Sequence, residues 1–307
     1  MRYIIVSDSS SNIFTIPGAD YKTVPMKVIA EKEYLDAPGL DVGGMVQDLK
    51  KFKGKSGSSC PNVQEWLDAF EGADGIFCVT ISKNLSGSYN SASQAVQTWL
   101  EENPGKRAYA FNGLSAGPEQ AMLCEKLAQL IAESHDFDTI VKKAEDYSNH
   151  THIAFRLQSL TNLARNGRVN PAVAKIVGAL GIRVMGTAQG GQIIPIHKIR
   201  GDRKAIPVVV EMMKERGFYD GAILRIAHCF GEEPALMLRD AVLAEFPNTK
   251  FILEPTTALC SFYAEEGGLM IAFEGGYNTE NNCVDFYMSI QEPPGIAGGL
   301  FLCGICE

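Results

Sequence analysis

Short apolar runs alternate with longer stretches in which apolar side chains recur every three or four positions, the two rhythms of strands and amphipathic helices. Tyr3–Ser7 reads as a first strand, with Asp8 and Ser9–Ser11 as the loop at its carboxyl end. Thr23–Ala30 reads as a second strand, Gly75–Ile81 as a buried third and Arg107–Asn112 as a fourth. Val42–Phe52 and Val63–Phe70 read as helices, the latter introduced by Pro61 and Asn62. Ser86–Glu102 carries Tyr89, Ala92, Ala95, Val96 and Trp99 at helical spacing. A further helix opens at Gly117-Pro118-Glu119, with proline in its first turn, and runs to about Ser134. Strands and helices joined this way imply a parallel sheet with ligand loops at the carboxyl ends of its strands.

Near residue 150 the rhythm changes. His152–Leu157 is strand-like, QSLTNLARNGR follows, and Pro171–Leu180 reads as a helix. Ile182–Thr187 and Gln192–His197 flank the turn AQGG, a hairpin signature. The rest alternates helix (Ala205–Arg216, Glu233–Phe246) with strand (Ala222–His228, Lys250–Leu253, Leu269–Phe273). The expected fold is α/β in two domains. Residues 1–155 form an N-terminal, parallel-sheet, Rossmann-like domain, and residues 156–276 form a C-terminal domain with a mostly antiparallel sheet flanked by helices. Residues 277–307 are left as an extension.

Composition narrows the function. Of 307 residues, 46% are hydrophobic and 21% charged, the balance of a soluble globular protein. The opening apolar run is too short for a secretory signal, so a cytoplasmic protein is expected. A net charge of −8 argues against a nucleic-acid partner. The densest basic run, Lys50–Lys55, and the HKIRGDRK segment at 197–204 read as solvated surface, the second also as a docking patch. Eight cysteines without a signal peptide are not a disulfide framework. Cys78, Cys124 and Cys229 read as small buried hydrophobes, and the CxxC of Cys303 and Cys306 lacks two further ligands at zinc spacing, so neither metal nor cofactor is expected.

Three hydroxyl-rich loops carry the candidate chemistry: SDSSS at 7–11, SGSSCPN at 56–62 and SKNLSGS at 82–88. A helix N-terminus presents unpaired N–H groups and the positive end of its dipole, so serines and a glycine there suit a carboxylate or a single phosphate. The same residues also suit plain helix capping, and both roles stay open for each loop. No GxxxxGK[ST] or GxGxxG occurs in them. No GxSxG elbow occurs either, and all five histidines lie outside these loops. A serine-dependent hydrolase or transferase using Ser86 remains the enzymatic alternative. Arg165 and Arg168 flank the Asn166-Gly167 turn and fit either an anion or a surface ion pair.

Taken together these loops resemble the DegV family, bacterial fatty-acid-binding proteins that serve a fatty acid kinase. DSSS at 8–11 resembles the family's opening DSS, SSCPN at 58–62 its TS-x-P-S loop, and LSGSYNSA at 85–92 its LSGTY-x-SA signature. SLTNLARNGRVN resembles its L-x-x-L-x-x-GGR turn, with Asn166 in place of one glycine. KIRG at 198–201 matches K-x-RG, and LMIAF its last strand. Where the family has a histidine before Gly-Pro-Gly, this chain places Tyr263 before Glu265-Glu266-Gly267. Arg183 and Val184 stand where a lysine and proline are usual.

The resemblance implies a lipid-binding carrier without catalytic residues of its own. Ser58, Ser59, Ser86, the N–H of Gly87, Tyr263 and Arg168 would hold a long-chain fatty-acid carboxylate, with the acyl chain in the interior of the second half. Arg200 and Arg203 would face the catalytic subunit of a fatty acid kinase, and transient membrane contact is allowed. A binding protein for another anionic lipid or metabolite is the alternative that the replaced histidine keeps open.

Overall fold

The computed structural model describes residues 2–170, 172 and 181–279. The expected helix at 171–180, apart from residue 172, the tail from 280 onward and the three cysteines of that tail lie outside them.

The first sheet is parallel throughout, in the order β2 (Tyr21–Val24), β1 (Tyr3–Asp8), β6 (Gly75–Thr80), β7 (Arg107–Asn112). Both of its faces are covered, which is why its central strands read as unbroken apolar runs. Ile4, Val6, Ile76 and Cys78 pack under α2 (Val63–Ala69) and α3 (Ser88–Glu102), against Trp66, Phe70 and Trp99. Ile5, Phe77 and Val79 point the other way, onto α4 (Pro118–Ala132) and α5 (Phe137–Ser148).

A small antiparallel sheet, β4 (Glu33–Leu35), β3 (Lys27–Ile29), β5 (Gly57–Ser59), sits beside it with α1 (Val42–Lys51). The expected strand Thr23–Ala30 is therefore two strands in two sheets. They part at Pro25, whose ring leaves no N–H for a ladder.

The second large sheet runs β10 (Gln192–Arg200), β9 (Ile182–Gln189), β8 (Thr151–Leu157), β13 (Leu269–Glu274), β11 (Ile223–His228), β12 (Lys250–Pro255). All pairs are antiparallel except β11–β12. The first of its faces is closed by α7 (Asp202–Glu215) and α8 (Glu232–Glu245) through Val209, Met213, Leu238 and Val242. The opposite face turns toward the first sheet's loops. There Phe155, Leu157 and Val184 meet Met26, Ile81 and the helix α9 (Ala258–Ala264), with α6 (Thr161–Arg165) beside it.

Candidate functional site: an apolar pocket between the lobes

Between the second sheet and the loops of the first lies a pocket whose empty space, open mouth included, is about 860 Å³. Its body is apolar: Leu85, Phe155, Leu157, Leu163, Ile193 and Leu259 are among its walls. Four expected residues, Ser58, Ser86, Arg168 and Tyr263, come together on its lining. The hydroxyl oxygens of Ser58 and Tyr263 lie 2.7 Å apart. The Arg168 guanidinium stands 5.8 Å from the Tyr263 ring centre, near enough for a cation–π contact. Arg168 Nε donates to the Leu85 carbonyl at 3.1 Å and another of its nitrogens donates to the Asn166 carbonyl, so the side chain is fixed with donors to spare.

Ser59 and Gly87 are not on the lining. Ser58 and Ser59 are consecutive in β5, opposite Val28 and Lys27, and consecutive strand residues face opposite ways. Gly87 is the exposed residue immediately before α3. Arg200 and Arg203 are exposed at the end of β10 and in the first turn of α7, also away from the pocket. Between them Asp202 pairs with Arg156 and Arg183. None of the five histidines lines the pocket.

The helix α3 begins two residues later than its periodicity suggests. Ser86 N–H donates to the Ser82 carbonyl at 3.2 Å, and the Ser86 hydroxyl accepts from Ser88 N–H at 3.3 Å. The turn is clasped to the second lobe: Ser82 Oγ donates to the Gly191 carbonyl at 2.7 Å and Asn84 Nδ2 to the Gly190 carbonyl at 2.6 Å. Gly191 has a φ of +75°, and a Cβ there would fall 2.3 Å from Ser82 Oγ. Only glycine lets the hairpin turn approach so closely.

The SDSSS loop has a different role. Ser7, Asp8, Ser9, Ser10 and Ser11 are all fully buried. One Asp8 oxygen accepts from Ile81 N–H at 3.0 Å and Ser88 Oγ at 2.5 Å. The other accepts from Gln120 Nε2 at 3.0 Å and from Ser10. Ser9 Oγ accepts from Met26 N–H at 2.9 Å, and the Ser10 carbonyl from Gly117 N–H at 2.7 Å. This loop ties together the strand and helix ends beneath the pocket, and none of its residues lines it.

Tyr263 is carried by α9, which sequence periodicity does not reveal because nearly every residue in it is buried. Its N-terminus is held by Asp36, 1% exposed, whose carboxylate accepts from Ala258 N–H at 2.8 Å and Leu259 N–H at 3.2 Å. Burial pushes the Asp36 carboxyl above its ordinary value, against the pull of these donors. Asn162 fixes the other end, donating from Nδ2 to the Phe262 carbonyl at 2.8 Å and from N–H to Glu265 at 3.0 Å.

Ser115 and Thr187 also line the pocket, and sequence reasoning had no signal for either. Behind them Thr151 Oγ1 donates to Glu119 Oε1 at 2.9 Å. Burial pushes the Glu119 carboxyl up to about 7, opposed by the hydroxyls of Ser115 and Thr151. In the sequence Glu119 looks like an ordinary acidic residue in a helix's first turn.

A family described as uncharacterised proteins, DegV family, matches residues 2–275. The chain belongs to the DegV family. A DegV domain-containing protein of Streptococcus gordonii is 36% identical over 282 residues, which cover 90% of this chain and all of the relative. Among solved structures, a DegV family protein from Eubacterium eligens loaded with heptadecanoic acid superposes with a TM-score of 0.87 at 36% identity, covering 89% of this chain and 100% of its own. The Streptococcus pneumoniae Fatty Acid Kinase (Fak) B3 protein loaded with linoleic acid also gives 0.87, at 33% identity and with 90% and 100% covered. Among the described residues no helix is long and apolar enough to cross a membrane.

Proposed function

We propose that this DegV family protein binds a long-chain fatty acid in the pocket, acts in the cytoplasm, and presents the acid's carboxylate to a separate fatty acid kinase. The observation that carries the reading is the meeting of Ser58, Ser86, Tyr263 and Arg168 on one wall of an otherwise apolar pocket. Neutral hydroxyl donors beside one guanidinium suit a single carboxylate. In this reading residues 1–155 supply the serine loops, and residues 156–276 supply Arg168, Tyr263 and most of the acyl wall. Burying a chain of about sixteen carbons at ~0.8 kcal/mol per CH₂ exceeds what micromolar binding needs, even after ordering costs. The headgroup contacts then orient the acid. Arg200 and Arg203, exposed on the second lobe, form the surface that meets the kinase.

Organic extracts of the purified protein, analysed by denaturing mass spectrometry, are expected to contain near-stoichiometric long-chain fatty acid. Adding a fatty acid kinase catalytic subunit and ATP is expected to yield acyl phosphate, trapped by hydroxylamine as the hydroxamate. An extract holding a different anionic metabolite would overturn the lipid assignment. Ser86-dependent turnover of p-nitrophenyl esters would favour an enzyme.

A further inference from the structure

One buried side chain ties the turn that ends the Tyr263 helix to the exposed arginines of the second lobe. Arg156 is fully buried in β8. It pairs with Leu269 and Met185, whose side chains pack under α7 and α8, so it lies on the face of the sheet turned away from the pocket. One of its nitrogens donates to the Gly267 carbonyl and another to Asp202. Gly267 lies in the turn between α9 and β13 at a φ of +81°, and its own N–H donates to the Cys229 carbonyl at 2.6 Å. Asp202 opens α7, between Arg200 and Arg203. A single guanidinium therefore joins the exit of α9 to the start of α7.

Stability does not account for an arginine at this position. A buried ion pair gains little over well-packed apolar residues of the same volume, because both charges must be stripped of water. Arg156 Nε has no hydrogen-bond partner among the described residues. Asp202 is already held by Arg183, through Nε at 3.0 Å and a second nitrogen at 3.1 Å. What Arg156 adds is geometry: a rigid, planar fork that fixes two partners at once.

We propose that Arg156 is a positioning residue for phosphoryl transfer, holding the headgroup helix in register with the face that meets the kinase. This rests on the fatty acid kinase reading above. In that reaction a carboxylate oxygen of the bound acid attacks the γ-phosphorus of ATP on the kinase. The acyl–oxygen–phosphorus linkage forms as the bond to the ADP oxygen breaks, and ADP leaves. The kinase grips Arg200 and Arg203, while the carboxylate is placed by Tyr263 on α9. A slip of about 1 Å between the two costs on the order of a hundredfold in rate without altering either contact set.

The test is steady-state kinetics of acyl phosphate formation, read as the hydroxamate, with stearic-acid-loaded full-length protein as the varied substrate of a fatty acid kinase catalytic subunit. Arg156→Met is expected to lower kcat about thirtyfold or more, with KM and stearic acid affinity within about threefold of wild type. Arg183→Met leaves the Arg156 link in place and is expected to keep kcat within about threefold. Arg156→Lys keeps the charge without the fork and is expected to recover only part of kcat. The proposal is overturned if Arg156→Met retains the wild-type kcat, if both methionine variants lose kcat equally, or if the loss is matched by lost stearic acid binding. Should Arg156→Met fail to fold, Arg156→Lys set against Arg183→Met decides in the same way. Loaded wild-type protein that yields no acyl phosphate would remove the kinase reading, and this proposal with it.

Discussion

Two serine-rich loops of the same lobe, 7–11 and 82–88, look alike in sequence and end in opposite situations. The first is fully buried and spends its side chains on Asp8, on strand ends and on the start of α4. The second closes its turn mostly through backbone and Ser82, leaving Ser86 on the pocket wall. Hydroxyl content alone does not distinguish them. The buried carboxylate does: Asp8 draws surrounding donors inward, whereas residues 82–88 contain no acidic residue to absorb theirs.

The largest effect is expected where the closed loop loses its acceptor. Asp8→Ala leaves the Ile81 N–H, Ser88, Ser10 and Gln120 donors without their buried partner, and should cost about 3 kcal/mol or more in urea unfolding. A cost below that of a typical surface change would erase the contrast between the loops.

Glu119 tests the other kind of buried carboxyl, one with two hydroxyl neighbours in place of a full set of donors. Its pKa in the folded protein, about 7 against an ordinary 4.5, means that the folded state holds a proton the unfolded chain has released. The associated stability is complete below about pH 4.5 and is lost as the pH rises to about 7, on the order of 3 kcal/mol in all. Glu119→Gln should flatten that dependence, so thermal melts across pH 5 to 8 should converge for the variant and fall for the wild type.

At the pocket wall the effects move from stability to ligand. Tyr263→Phe keeps the ring against Arg168 and removes the oxygen that meets Ser58. Stearic acid affinity by calorimetry is expected to weaken about tenfold, with the melting temperature nearly unchanged. Ser86→Ala should be mildest for the fold, about 1 kcal/mol or less, since only the bond from Ser88 N–H is lost. It should still weaken fatty-acid binding measurably. Unchanged affinity would place Ser86 with the structural serines of the first loop.

The parallel sheet was legible because its strands are buried on both faces, and the β9–β10 hairpin because AQGG separates two apolar runs. Helix α5 is legible in principle, since Phe137, Ile140 and Ala144 fall on one buried face and Asp136 caps it through Thr139 N–H, although no expected element covers it. The strands β4 and β5, three residues each, are too short to show a period. Helix α9 hides its period in uniform burial. Ser58, Ser86, Arg168 and Tyr263 were legible through family motifs and not through physics alone. Ser115, Thr187, Glu119 and Asp36 are defined by what faces them across the fold, which no local pattern encodes.

Asp36 and the helix it caps are separated by more than 220 residues of chain. During synthesis the first sheet can close early, but the wall that carries Tyr263 has no seat until residue 258 and its neighbours have left the ribosome. The nascent protein therefore spends most of its translation with the apolar faces of a half-made binding site uncovered, the interval in which long-range topologies are slowest to finish and most in need of chaperone cover.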